Sequence, residues 1–178
     1  MDILQQWRAS YCAGSPMPRA FRDQATEAFN KVYQQCEDVR YVSDSCIYRV
    51  LDPDLLVLGR AFEIDDALYY SFSADLNGIY YFCSTDRHFK ASKFILLEAK
   101  GQDALDYQKL MTERYENYMP ETDRFALENE VISKLSYKNL IGVYLIDLTM
   151  LADYRKHRIS IEDLTNTDRL KTLLRWED

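Results

Sequence analysis

Glu98 and Lys100 close an apolar run, Phe94-Ile95-Leu96-Leu97-Glu98-Ala99-Lys100. On a strand, residues two apart project from the same face, so this carboxylate and this amine are expected side by side. A carboxylate so placed can hold Mg²⁺, and the amine can stabilise a phosphoryl group under attack or orient a water. One carboxylate does not complete a magnesium site; Asp75 or Asp86, upstream, can supply the second. The same pair also fits a plainer role, an exposed ion pair at a strand end worth about 0–1 kcal/mol.

A second set of residues suits recognition rather than reaction. Asp52, Asp54, Glu63, Asp65 and Asp66 crowd two expected turns. They lack the ordered D-x-D-x-D-G spacing of a calcium loop. They read as solvated turns that can also steer a basic partner. Tyr48, Tyr69, Tyr70, Tyr80 and Tyr81 fall in segments expected to be strands. Adjacent strand residues point to opposite faces. One tyrosine of each adjacent pair therefore packs inward, and the other offers ring and hydroxyl outside, as interface tyrosines do. The partner-binding set is thus the five acids with Tyr69, Tyr70, Tyr80 and Tyr81. Arg155-Lys156-His157-Arg158, the one dense basic run, suits a solvated helix end.

Covalent and metal chemistry find little else. The chain has no G-x-S-x-G elbow and no glycine-rich phosphate loop. Cys12, Cys36, Cys46 and Cys83 form no C-x-x-C pair, and with only His88 and His157 they match no zinc spacing. Cys83 and His88 are a conceivable thiol–imidazole pair, though nothing in the sequence lowers the thiol pKa. No cofactor is expected, apart from Mg²⁺ under the Glu98 reading.

The elements that must position these residues follow from apolar spacing. Ile3, Leu4, Trp7 and Tyr11 mark a short helix over residues 2–11, and Gly14 to Pro18 breaks it. Phe21, Ala25, Phe29, Val32 and Cys36 mark a second helix from Arg19 to Glu37. The period then changes to two. Strands are expected over Cys46–Val50, Leu55–Ile64 (with Gly59 as a bulge), Ala67–Ser73, Gly78–Cys83 and Lys93–Ala99. Asn77-Gly78 reads as a type I′ hairpin turn. Helices are expected over Asp103–Tyr118 and Glu121–Leu135, a buried strand over Leu140–Asp147, and a closing helix from Thr167 to Trp176 after a start at Ser160. The result is a single α+β domain with a central antiparallel, meander-like sheet of five to six strands. Residues 1–15 would form a helical arm and 148–178 a helical extension.

The stretch around Glu98-Ala99-Lys100 resembles the PD-(D/E)XK nuclease superfamily, which places an acid ahead of a Glu-x-Lys strand in an αβββαβ core. The resemblance covers element order from Arg19 to Asp147. It implies a Mg²⁺-dependent nuclease using Glu98 and Lys100, with Asp75 or Asp86 as a further metal ligand and Gln108 or Lys109 on the following helix. The chain's own Pro53-Asp54 lies far upstream of Glu98.

The totals point elsewhere. With 29 acids against 22 bases the net charge is −7, which repels nucleic-acid phosphates and suits a basic protein partner. In size, acidity and lack of a catalytic motif the chain resembles bacterial immunity proteins, which neutralise toxins, and secretion chaperones. That resemblance implies a binding module acting by occlusion. The N-terminus lacks the basic start and apolar run of a signal peptide, and no apolar stretch reaches the roughly 18 residues of a membrane span. A cytoplasmic protein is expected.

Overall fold

The early three-and-four spacing becomes helix, as expected. In the computed structural model, described over residues 2–12, 18–51, 64–85 and 93–156, α1 spans Ile3–Cys12 and α2 spans Arg19–Gln35. Ala25, Phe29 and Val32 form the buried stripe of α2. The Trp7 ring of α1 meets Phe29 edge-on at 5.1 Å, a favoured aromatic geometry. Asp2 caps α1 by accepting from the Leu4 and Gln5 amides at 2.9 and 3.0 Å.

Six strands follow: β1 (Cys46–Leu51), β2 (Tyr69–Ser73), β3 (Phe94–Lys100), β4 (Gln102–Asp106), β5 (Glu130–Lys134) and β6 (Leu140–Ile146). Among the described residues the helices α3 (Leu76–Thr85), α4 (Tyr107–Arg114) and α5 (Arg124–Leu127) lie between these strands, and α6 (Leu148–Arg155) follows β6. The fold is α+β around one antiparallel sheet, ordered β4-β5-β2-β1-β3-β6.

That order interleaves the strands, where short connections predict consecutive hairpins. Only Gly101 separates β3 from β4, yet the two lie apart in the sheet. β3 pairs with β6, from Phe94↔Ile146 to Ala99↔Leu140, and β4 pairs with β5, from Gln102↔Lys134 to Asp106↔Val131. The two halves form one long ribbon bent at Gly101. Asn139 fastens the bend: its side-chain amide donates to the carbonyls of Lys100 (2.7 Å) and Lys134 (3.2 Å), and its own carbonyl accepts from the Lys100 amide at 2.8 Å. Ser133 Oγ accepts from the Gln102 amide at 2.9 Å across the same corner.

The bend folds the sheet over. Ile47, Phe72, Ile95, Leu97, Val131 and Val143 pack on one another on its inner face with no helix among them. The outer face carries two further cores. Tyr69, Leu105 and Ile132 pack under α1, α2, α4 and Phe125 of α5. Phe94, Leu96, Tyr144 and Ile146 pack under α3 and α6.

Three segments differ from the spacing-based expectation. Asn77-Gly78 lies inside α3 rather than in a hairpin, and the expected strand over Gly78–Cys83 is helical. The unbroken run Ile79-Tyr80-Tyr81-Phe82 hides a stripe of Leu76, Ile79 and Cys83, which is what the helix buries. Gly78 is there for closeness, since a Cβ would stand 2.0 Å from the Glu128 carbonyl oxygen and 2.2 Å from Ser73 Oγ. The expected helix over Asp103–Tyr118 starts instead at Tyr107 and ends at Arg114, because β4 occupies its beginning. Asp103 there takes the left-handed conformation, at φ 50. The expected helix over Glu121–Leu135 shrinks to α5. Asn129, at φ 51, turns the chain, as asparagine tolerates. Val131 and Ile132 then point to the inner and outer cores in turn. The expected strand over Leu55–Ile64 and the helix closing at Trp176 lie outside the described residues, apart from Ile64.

Candidate functional site

Glu98 projects from the outer face of β3, opposite Gly142 of β6 and Tyr48 of β1. Tyr144 lies back over Gly142; a Cβ at Gly142 would come within 2.3 Å of the phenol oxygen. That empty place lets Tyr144 Oη donate to Glu98 Oε2 at 2.6 Å. The Cys46 thiol donates to the same carboxylate, and burial, followed by this bond and the charge of Glu98, raises the thiol pKa. Glu98 is only 7% exposed. Lys100 does not face it in an ion pair; its amine donates to the Asp44 main-chain carbonyl.

The other candidate metal ligands are engaged elsewhere or lie outside view. Asp75 caps α3, its Oδ1 accepting from the Gly78 amide at 2.8 Å and its Oδ2 from the Asn129 side-chain amide at 3.0 Å. Asp86 is outside the described residues. Gln108 and Lys109 sit on α4 and line a separate groove. Among the described residues no three His, Cys, Asp or Glu side chains come together as metal ligands. Cys83 is fully buried, and His88 lies outside the described residues.

A cleft of about 320 Å³ opens beside Glu98 on the helical face, lined by Ser45, Cys46, Tyr48, Ala74, Asp75, Leu76, Asn77, Tyr154 and Arg155. The start of β1 forms its floor, and the N-terminus of α3 and the end of α6 form its walls. Arg155 Nε donates to Asn77 Oδ1 at 2.7 Å, and the guanidinium carbon lies 4.2 Å from the centre of the Tyr80 ring. The Tyr48 phenol pKa is raised, by burial first and then by the charge of Glu98.

A wider groove of about 570 Å³ lies on the other half of the molecule, lined by Asp38, Asp106, Gln108, Lys109, Thr112 and Glu113. It is built from the 3-10 turn Glu37–Val39, the end of β4 and the outer face of α4. Asp106 is also the N-cap of α4, accepting from the Lys109 amide at 3.0 Å. Asp38, Gln108, Lys109, Thr112 and Glu113 are exposed and Asp106 is half-buried, so among the lining residues three carboxylates stand against one lysine.

The residues expected to bind a partner are scattered. Tyr69 and Tyr70, at 1% and 3% exposure, are core residues rather than surface contacts. The sheet is covered on both faces, so alternation sends each into a different core. Tyr69 Oη donates to Asn30 Oδ1 at 3.3 Å, and Tyr70 Oη accepts from the Asp65 amide at 2.9 Å. Tyr80 packs half-buried beneath Arg155, and only Tyr81 of the four is exposed. Asp65 is paired with Arg19, while Asp66 is exposed. Asp52, Asp54 and Glu63 lie outside the described residues. The groove acids Asp38, Asp106 and Glu113 escaped the sequence reading because they come from three separate segments and share no motif.

No known protein-family model matches the chain, and no curated protein matches it. Among the described residues no helix is long and apolar enough to cross a membrane.

Proposed function

We propose that this protein is an acidic binding module that seats a basic segment of a protein partner. The observation that carries the reading is the open groove in which Asp38, Asp106 and Glu113 outnumber Lys109. The net charge of −7 supports it by drawing a cationic partner toward the molecule as a whole. Burying lysine or arginine side chains of the partner against these carboxylates gives charge-assisted hydrogen bonds. Gln108 and Thr112 add neutral hydrogen-bonding groups that fix register. Such a module acts by covering the partner's basic surface, as an inhibitor or a chaperone does.

The test separates this groove from general acidity. A short oligolysine peptide is titrated by calorimetry into the wild type, into the double variant Asp38→Asn/Glu113→Gln, and into Glu27→Gln/Glu121→Gln, which removes the same charge from exposed positions outside the groove. The groove variant should weaken binding by about tenfold while the control changes it by less than about threefold. Equal losses from the two variants would show attraction to net charge alone and defeat the assignment.

A further inference from the structure

The cleft beside Glu98 offers chemistry different from that of the acidic groove. Among the described residues that line it the one cation is Arg155, held before any ligand arrives. Asn77 fixes Nε at 2.7 Å, and the guanidinium carbon rests 4.2 Å from the centre of the Tyr80 ring. The two terminal nitrogens make no hydrogen bond among the described residues. A guanidinium anchored at Nε with its two terminal nitrogens open can take a carboxylate in two parallel bonds. Around it stand the hydroxyls of Ser45, Tyr48 and Tyr154, and the apolar side chains of Ala74 and Leu76.

We propose that this cleft binds a small organic carboxylate, whose acid group pairs with Arg155 and whose apolar body lies against Tyr48, Ala74 and Leu76. Size and charge select the class. A volume of about 320 Å³ is near the lower limit of small-molecule sites, about 300 Å³, and suits a single-ring acid. Glu98 beneath the floor and Asp75 on the wall oppose a doubly charged phosphate. Arg155 opposes an amine. The Tyr48 phenol remains a hydrogen-bond donor through neutral pH, because burial and the Glu98 charge hold its proton. Burial, followed by the bond to Glu98, likewise raises the Cys46 thiol pKa.

Phenylacetate, phenyl phosphate and benzylamine are the probes, each followed by amide chemical-shift changes in the isotope-labelled full chain. Phenylacetate should shift residues of the cleft saturably, and phenyl phosphate and benzylamine should bind at least about tenfold more weakly. Arg155→Ala should weaken phenylacetate by about tenfold or more, and Arg155→Lys, which keeps the charge but not the fork, should fall between. Lys156→Ala, the neighbouring exposed cation, should leave binding unchanged. Because Arg155 is exposed, its variants are expected to fold, and circular dichroism checks that they do. The proposal fails if phenylacetate does not bind, if benzylamine or phenyl phosphate matches it, or if Arg155→Ala binds as well as the wild type.

Discussion

Both carboxylate oxygens of Glu130 are buried without a hydrogen bond in good geometry. Burial pushes this acid up to about 8. Glu128 and Asp123 add to the shift, while the Ser71 hydroxyl and Arg49 oppose it. The folded protein therefore keeps Glu130 neutral at pH values where the unfolded chain, with an ordinary value of 4.5, has released the proton. Between these two values the unfolded state binds fewer protons, so stability falls as pH rises from about 4.5 to about 8 and levels off above. Urea midpoints measured across that range should decline, by a few kcal/mol in order of magnitude. Glu130→Gln should flatten the decline and stand above the wild type at pH 9. A wild-type profile without the decline would mean that Glu130 is ionised in the fold. Gly78 belongs to the same scale. Gly78→Ala must displace the Glu128 carbonyl or Ser73, so a loss of about 2 kcal/mol or more is expected in urea unfolding. A turn glycine of the kind Asn77-Gly78 suggested would be sensitive through its φ instead, so an alanine that costs nothing would refute the close-approach account.

At the scale of elements, aspartates set the helix starts. Asp106, Asp123 and Asp147 precede α4, α5 and α6, and their side chains accept from the amides of Lys109, Phe125 and Met150. Asp147→Ala should cost about 1 kcal/mol and loosen α6, which walls the cleft. Loss of helix signal with retained sheet in circular dichroism would show it. α1 and α2 were legible because their apolar stripes repeat over several turns. β1, β2, β3 and β6 were legible because each is a short β-rich run with a clear boundary. α3 was not, since its surface tyrosines fill the gaps in its stripe. β4 and β5 were not, because each sits beside a helix whose spacing extends over it, and the positive φ of Asn129 that parts α5 from β5 leaves no glycine behind. Glu98 and Lys100 stand two apart on β3. Which groups each would meet depended on Tyr144 and Asp44, distant in the chain.

At the scale of the whole molecule, the strand order was beyond reach of local spacing. Nothing in the residues around Gly101 says that the chain bends there rather than reversing into a hairpin. The bend rests on Asn139, whose side chain serves carbonyls from both strands at the corner. Asn139→Ala removes the side-chain donor to the Lys100 carbonyl and leaves the Lys134 carbonyl to Ser133 Oγ; it should cost about 1–3 kcal/mol, seen as a lower urea midpoint with an unchanged slope. A changed slope would instead indicate that the corner opens in the native state.

The bent ribbon also governs how the chain can be divided. Lys138 is exposed in the link between β5 and β6, a place where a protease can cut one peptide bond without touching a core side chain. The C-terminal piece would keep its place through the pairing of β6 with β3 and the packing of α6 beside α3. A nicked molecule should therefore migrate as one species until denatured, and the pieces, made separately and mixed, should recover the fold that neither adopts alone.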